Sequence, residues 1–208
     1  MAGNLKLTGI VEKKARRMLK NICRILDEND IPYVVENGTL LGIIRENRLL
    51  PWDNDVDISI TEQYLDKLIS IRWKFWLCGY RTRIRRSIVE LPHLPVGTVR
   101  LMKLQSHRFL IKRLRLFDIF VKYQVDDKHY WAHGIKKPVL LSAPSHFYKN
   151  TVRYEFDGYN YLIPGDYDDY LTHRYGDWRK TVKKFDFKSD DQAIIFKHKD
   201  NNKDKKLR

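Results

Sequence analysis

Three aspartates occupy every second position where an apolar run begins, in the segment Asp53-Asn54-Asp55-Val56-Asp57-Ile58-Ser59-Ile60. From residue 55 onward the alternation has the period of a β-strand, and this period directs the three carboxylates to one face. Crowded carboxylates repel one another, and each is more stable protonated or paired unless a divalent cation lies among them. Because the segment offers hard oxygen ligands without His or Cys, it favours Mg²⁺ or Mn²⁺. A solvated acidic strand end, or one that pairs with basic residues, is the alternative interpretation.

A second candidate lies upstream, in the segment Gly38-Thr39-Leu40-Leu41-Gly42. A turn is predicted at Asn37-Gly38, followed by a helix over 39–47 that a Thr hydroxyl opens as N-cap. Unpaired N–H groups and the positive end of the helix dipole can hold a phosphate there, which makes Gly38 and Thr39 candidate nucleotide-binding residues. Arg45, further along the helix, is a third candidate because its guanidinium can bind phosphate. Ordinary helix capping and a surface charge are the alternatives.

A further acid, Asp118, interrupts the apolar run Leu116-Phe117-Asp118-Ile119-Phe120-Val121. A lone carboxylate inside an apolar strand needs a cation, a metal or strong hydrogen bonds. On a strand next to the acidic one, Asp118 would reach the same metal. An edge-strand aspartate paired with Arg115 or Lys122 is the alternative.

The remaining sequence predicts an α/β (α+β) fold, a mixed β-sheet flanked by helices. A chain of 208 residues suits one domain, which we place at residues 1–196. Residues 197–208 are lysine-rich and predict a basic, flexible tail. Apolar periodicity predicts helices over 9–28, 39–47, 61–77 and 167–175, the last ended by Gly176, and strands over 33–36, 55–60, 80–90, 97–105, 115–123, 152–156 and 159–162.

The chain is strongly basic, with 40 Lys and Arg against 26 Asp and Glu and a net charge of +14. Such a chain attracts polyanions, so nucleic acid, anionic membranes, nucleotide phosphates and phosphorylated glycans are all compatible partners. The excess is uneven, because residues 81–115 hold ten Lys and Arg against one acid, Glu90. This segment is either a solvated face of the sheet or a landing surface for an anionic glycan.

Cys23 and Cys78 stand far apart without clustered His, so neither a disulfide framework nor a zinc site is predicted. We expect both thiols to be buried. The N-terminal sequence has no uninterrupted apolar segment typical of a signal peptide, and no stretch reaches the roughly 18 apolar residues of a membrane span. We therefore expect a soluble, cytoplasmic protein without a transmembrane segment.

Two longer segments together resemble the LicD/fukutin family of the nucleotidyltransferase superfamily: Gly38-Thr39-Leu40-Leu41-Gly42-Ile43-Ile44-Arg45 and Leu50-Pro51-Trp52-Asp53-Asn54-Asp55-Val56-Asp57-Ile58. The resemblance continues, in family order, through residues 117–120, 163–167 and 174–178. It implies a nucleotidyltransferase-like fold. It also implies a transferase that moves a phospho-alcohol, such as phosphocholine or ribitol phosphate, from a CDP-linked donor to a glycan hydroxyl.

The resemblance also implies roles for the candidate residues. The acids would hold a divalent metal, with Asp55 and Asp57 as principal ligands, Asp53 in support, and Asp118 nearest the acceptor hydroxyl as general base. Gly38 and Thr39 would hold donor phosphate, assisted by Arg45. A nucleotidyltransferase acting on RNA or protein is a close alternative. A non-catalytic polyanion-binding protein is another, although the acid triplet would repel its ligand.

Overall fold

The computed structural model describes residues 6–106, 115–135, 137–182 and 185–198. Helices and strands alternate along the chain as follows: α1 (Gly9–Asp27), β1 (Val34–Val35), α2 (Asn37–Glu46), β2 (Val56–Thr61), a 3₁₀ turn (Glu62–Tyr64), α3 (Leu65–Ser70), α4 (Arg72–Leu77), β3 (Tyr80–Arg86), β4 (Val99–Ser106), β5 (Arg115–Val125), β6 (Lys128–His133), β7 (Val139–Pro144), α5 (His146–Lys149), β8 (Thr151–Phe156), β9 (Tyr159–Pro164), α6 (Tyr167–Tyr175) and β10 (Ile194–Lys197).

The long strand β5 organises an eight-stranded mixed sheet. It pairs with β2 in parallel and with β4 in antiparallel orientation. Strand β1 extends the sheet beyond β2, and β3 extends it beyond β4. The last residues of β5 pair instead with β6, which leads to β7 and β10. A mixed sheet flanked by helices is the predicted fold class, and the structure confirms it.

One face of the central strands is apolar because every second residue is. Val56, Ile58 and Ile60 alternate on β2, and they belong to one buried cluster with the apolar stripe of α1, whose members are Ala15, Met18, Leu19, Ile22, Cys23, Ile25 and Leu26. Each such large side chain contributes about 1.5–3 kcal/mol on burial. The opposite face therefore carries the polar residues of β2 and β5. Across the described residues, no helix is long and apolar enough to cross a membrane.

The helix predicted over 61–77 is wrong as a single element. A 3₁₀ turn and two six-residue helices replace it, with a break at Ile71, whose ψ of 7° is not helical. The buried side chains are Leu68, Ile71 and Phe75, and Trp73 lies on the outer side with 57% exposure. Cys78 follows this segment and is exposed, contrary to expectation, whereas Cys23 is buried.

Three strands were not predicted from the sequence: β6, β7 and β10. They extend the sheet from the far end of β5, where the sequence indicated mostly loops. Lys197 of β10 pairs with Val139, so the predicted tail at 197–208 begins inside a strand. Residues 199–208 lie outside the described residues. Helix α6 has its predicted limits, and Gly176 follows it with a φ of +66°.

A buried polar network ties the sheet to α6. The Lys122 ammonium lies 2.7 Å from a Glu36 carboxylate oxygen, and both side chains are fully buried. The Tyr170 hydroxyl donates to Glu36 at 2.8 Å, and Arg174 donates to Tyr170 at 2.7 Å. Arg174 also pairs with Asp191 at 2.6 Å. The network therefore connects β5, α6 and Asp191 to Glu36, the residue directly before α2.

Substitution of Lys122 by Met tests this network. Lys122→Met leaves the Glu36 carboxylate buried without its cation, so we expect the free energy of unfolding to fall by about 3–5 kcal/mol. Lys122→Met combined with Glu36→Gln removes both charges and should recover a large part of that loss. Urea unfolding followed by circular dichroism measures both. If Lys122→Met were as stable as the wild type, the buried ion pair of Lys122 and Glu36 would be contradicted.

Candidate active site

The pairing of β2 with β5 brings acids from two segments together. Asp57 lies directly opposite Asp118 in the parallel register, and residues in register on neighbouring strands face the same side. Asp55 directly precedes β2. One carboxylate oxygen from each of Asp55, Asp57 and Asp118 lies within 4.8 Å of the other two. Three of the four predicted metal-ligating acids therefore form one group, which we call the acid triad.

Asp53 does not join the acid triad. Its backbone N–H donates to the Leu50 carbonyl at 3.0 Å, which closes a turn before β2. Its Oδ1 accepts from the Asn54 N–H at 2.8 Å. The strand alternation that would align residue 53 with 55 and 57 begins only at Val56. Asp53 is therefore a neighbour whose negative charge acts on the triad.

The first turn of α2 holds Asp57 in place. The Asn37 side-chain amide donates to Asp57 Oδ2 at 3.0 Å, and the Asp57 N–H donates to Thr39 Oγ1 at 2.9 Å. The helix begins at Asn37, with Glu36 before it, so the predicted turn at Asn37-Gly38 and the predicted cap at Thr39 are wrong. Asn37 adopts a left-handed φ of 55° and starts the helix early. Asn37 was not predicted from the sequence as a site residue.

Gly38 and Gly42 allow the loop before β2 to lie against α2. A Cβ on Gly38 would overlap Asp53 Oδ2, and a Cβ on Gly42 would lie 2.5 Å from the Arg48 carbonyl oxygen. Both glycines therefore have a packing reason for their place in the sequence. The phosphate-binding role of Gly38 and Thr39 stays a prediction. The Thr39 hydroxyl is already engaged and only 2% of this residue is exposed.

Arg45 lies at the other end of α2, with its guanidinium engaged away from the triad. Its Nη1 donates to the Trp178 carbonyl at 3.1 Å, and its Nη2 pairs with Glu46 at 2.8 Å. The contact with Trp178 attaches the segment after α6 to α2. The Arg45 guanidinium thus has hydrogen-bond partners within the protein, and its binding to phosphate remains a prediction.

Lys103 is the cation beside the triad, and it was not predicted from the sequence as a site residue. It lies opposite Asp118 on β4, and its ammonium forms an ion pair with Asp118 Oδ2. Of the two predicted alternatives, Lys122 is not the partner, since it pairs with Glu36, and the Arg115 side chain lies outside the described part of the chain. The only signal available in the sequence was a lysine within the predicted strand 97–105, which directly precedes the strand of Asp118 along the chain.

Burial raises the pKa of each triad carboxyl, and repulsion by neighbouring acids adds to the rise at Asp55 and Asp57. Burial, together with the charges of Asp118 and Asp53, raises the pKa of Asp55 to about 7. The pKa of Asp57 is well above its ordinary value for the same reasons, although the Asn37 hydrogen bond lowers it. Burial also raises the pKa of Asp118, against the lowering effect of Lys103. The triad thus gains stability from protons or from a cation.

The triad fits a divalent cation. Its three oxygens are hard ligands of the kind Mg²⁺ prefers, and all three lie within 4.8 Å of one another. The described residues offer no other such group of three His, Cys, Asp or Glu ligands. Asp55, Asp57 and Asp118 are therefore the residues that would hold Mg²⁺ or Mn²⁺.

The fold and the triad define a nucleotidyltransferase-type domain, and comparison with known proteins identifies its family. The sequence profile of the family described as LicD/FKTN/FKRP, nucleotidyltransferase domain, matches residues 30–166. The chain belongs to this family, which confirms the resemblance. The matched segment includes all four acids and the glycine-led start of α2.

Two relatives show the extent of the similarity. The uncharacterized protein RP689 of Rickettsia prowazekii is 24% identical over 169 residues, which cover 79% of this chain and 54% of RP689. The ribitol-5-phosphate transferase FKTN of Mus musculus is 26% identical over 182 residues, which cover 86% of this chain and 36% of FKTN. The chain thus spans about half or less of these relatives.

A solved structure is also similar. A crystal structure of ANT(2″)-Ia in complex with adenylyl-2″-tobramycin has a TM-score of 0.42 and 15% sequence identity. The similarity covers 74% of this chain and 75% of that one.

Asp55→Asn tests the electrostatics of the triad. Because the folded-state pKa of Asp55 is raised to about 7, the protein loses stability as the pH rises from about 4, the ordinary pKa of aspartate, to about 7. We expect Asp55→Asn to remove this loss and to stabilise the metal-free protein by about 1–3 kcal/mol more at pH 8 than at pH 5. Thermal melts in EDTA at both pH values measure the difference. The exposed control Asp66→Asn should change stability by less than about 0.5 kcal/mol.

With Mn²⁺ the order should reverse, since the wild type gains stability from the ion and Asp55→Asn loses one of its ligands. Equal metal-free stability of wild type and Asp55→Asn at pH 8 would contradict the raised pKa.

Proposed function

We propose that this chain is a metal-dependent transferase that moves a phospho-alcohol from a CDP-linked donor to a glycan hydroxyl. Convergence of Asp55, Asp57 and Asp118 in a chain of the LicD family carries the proposal. Phosphocholine and ribitol phosphate are the candidate groups, and the name of the mouse relative supports the second. Mg²⁺ or Mn²⁺ is the proposed cofactor, held by the triad with Asp53 in support.

The chemistry follows from phosphoryl-type transfer. The acceptor hydroxyl oxygen forms a bond to the phosphorus that carries the alcohol, and the bond from this phosphorus to the CMP oxygen breaks. The hydroxyl proton passes to Asp118, whose raised pKa makes it a stronger base than an exposed aspartate. When bound, the divalent cation supplies neutralisation of the charge on the donor diphosphate.

The surrounding residues act mainly by positioning. Asn37 and Thr39 fix Asp57 through its carboxylate and its backbone. Gly38 and Thr39 are proposed to offer backbone N–H groups to donor phosphate, since the Thr39 hydroxyl is already used. Arg45 assists by holding the segment at Trp178 against α2.

A thermal-shift experiment tests donor binding. We expect CDP-ribitol or CDP-choline to raise the melting temperature of the wild type only when Mn²⁺ is present. Asp57→Asn should abolish this shift because it removes a metal ligand, while the control Asp66→Asn should keep it. A CDP compound that stabilises the protein without metal, or equally well in Asp57→Asn, would contradict the proposal.

Product analysis separates the proposal from nucleotidyl transfer, which the net charge of +14 would suit through RNA binding. Release of CMP from a CDP-alcohol that requires a glycan acceptor supports phospho-alcohol transfer. Incorporation of a nucleotide into RNA or protein, without release of CMP from a CDP-alcohol, would contradict phospho-alcohol transfer and support nucleotidyl transfer instead.

A further inference from the structure

A row of charged residues crosses four strands from the acid triad to the edge of the sheet. Asp57 on β2 is opposite Asp118 on β5, Asp118 is opposite Lys103 on β4, and Lys103 is opposite Arg83 on β3. Residues in register on neighbouring strands share one face. The sign of the charge therefore changes along this face, from two acids to two cations.

The edge strand β3 repeats the positive charge along its length. Arg81, Arg83 and Arg85 occupy every second position, so they share one face at a spacing of about 7 Å. Strand β3 pairs only with β4 among the described strands. We call these three residues the arginine row.

The arginine row lacks anionic partners within the described part of the chain. Arg81 and Arg83 are exposed, and neither forms a hydrogen bond or ion pair with a described residue. The Arg85 Nε is buried without a hydrogen-bond partner. The one acid of this basic segment, Glu90, accepts instead from the Val96 N–H at 3.0 Å. Positive charge without compensation favours an anionic ligand.

Lys103 connects the arginine row to the triad. It lies in register between Arg83 and Asp118 and forms an ion pair with Asp118. Within the row, Arg85 repels buried Arg100, which adds to the lowering of the Arg100 pKa by burial. An anion on this face would relieve the repulsion among these cations.

We propose that the arginine row binds the phosphate groups of an anionic acceptor chain and that Lys103 guides the chain to the triad. This inference rests on the proposed function and names its acceptor class as a phosphate-bearing glycan. Arg83 lies two strands from Asp118, about 10 Å away across the sheet, so it suits the acceptor rather than a donor diphosphate at the triad. A row of three cations suits repeated negative charges.

The composition of this face favours a glycan over nucleic acid. Leu101, Lys103 and Gln105 of β4 share the face with the arginine row, so none of these six residues is aromatic. Proteins that bind single-stranded nucleic acid generally stack bases on aromatic side chains beside the basic groove. These six residues therefore offer charge without a stacking surface, and Phe120, which lies opposite Leu101 on β5, is buried.

Binding of long-chain inorganic polyphosphate, in EDTA, tests the row directly. We expect Arg81→Gln/Arg83→Gln/Arg85→Gln to bind about tenfold more weakly at about 0.1 M salt, with the log–log salt slope smaller by about 2. The matched control Lys13→Gln/Arg17→Gln/Lys128→Gln removes three exposed cations elsewhere and should bind within twofold of the wild type. Equal loss in both triple variants would overturn the proposal.

Two further measurements distinguish lost binding from lost folding, and a glycan ligand from RNA. Arg81→Gln/Arg83→Gln changes only exposed side chains, so it should weaken binding with an unchanged melting temperature. A single-stranded RNA oligomer that binds more tightly than polyphosphate, and depends on the same arginines, would overturn the glycan assignment.

The wild-type thermal shift with Mn²⁺ and CDP-ribitol is measured in parallel. Its absence counts against the proposed function alone, because the polyphosphate comparison uses no metal and no donor.

Discussion

Repulsion among three carboxylates, enforced by the parallel pairing of β2 and β5, is the constraint on which the site depends. The register places Asp57 opposite Asp118, and the apolar alternate residues of both strands are committed to the core. A shift by one residue would bury the acids among apolar side chains, so the register is strongly specified. The fold therefore holds together charges that would separate in water, and Lys103 offsets only part of the cost.

Rigid support for this arrangement comes from the corner between β1 and α2. Glu36 is fixed by Lys122 and Tyr170, and the next residue, Asn37, donates to Asp57. The same corner thus connects the buried polar network to the acid triad. A preorganised group of this kind can meet a cation or a developing charge without rearranging at the moment of reaction. Asp53 also approaches α2 closely at Gly38.

The sequence predicted the part of the site that depends on local periodicity. Strand alternation and a charge inside an apolar run were enough to select Asp57 and Asp118, and the family motifs placed both within one domain. The turn that separates Asp53 from the strand depends on a backbone hydrogen bond to Leu50, which residue types alone do not reveal. Lys103 was not predicted as a site residue because its place opposite Asp118 depends on the register between two strands. The strands beyond β5 were missed because their stability comes from pairing in the sheet.

The central claim, that the acid triad holds one divalent cation, is tested most directly by a crystal structure of the protein grown with Mn²⁺ and measured at the manganese absorption edge. We predict an anomalous peak about 2.2 Å from an oxygen of each of Asp55, Asp57 and Asp118, with the Lys103 ammonium moved away from Asp118. An anomalous map without a peak among these oxygens, and with the Lys103–Asp118 ion pair intact at saturating Mn²⁺, would contradict the account.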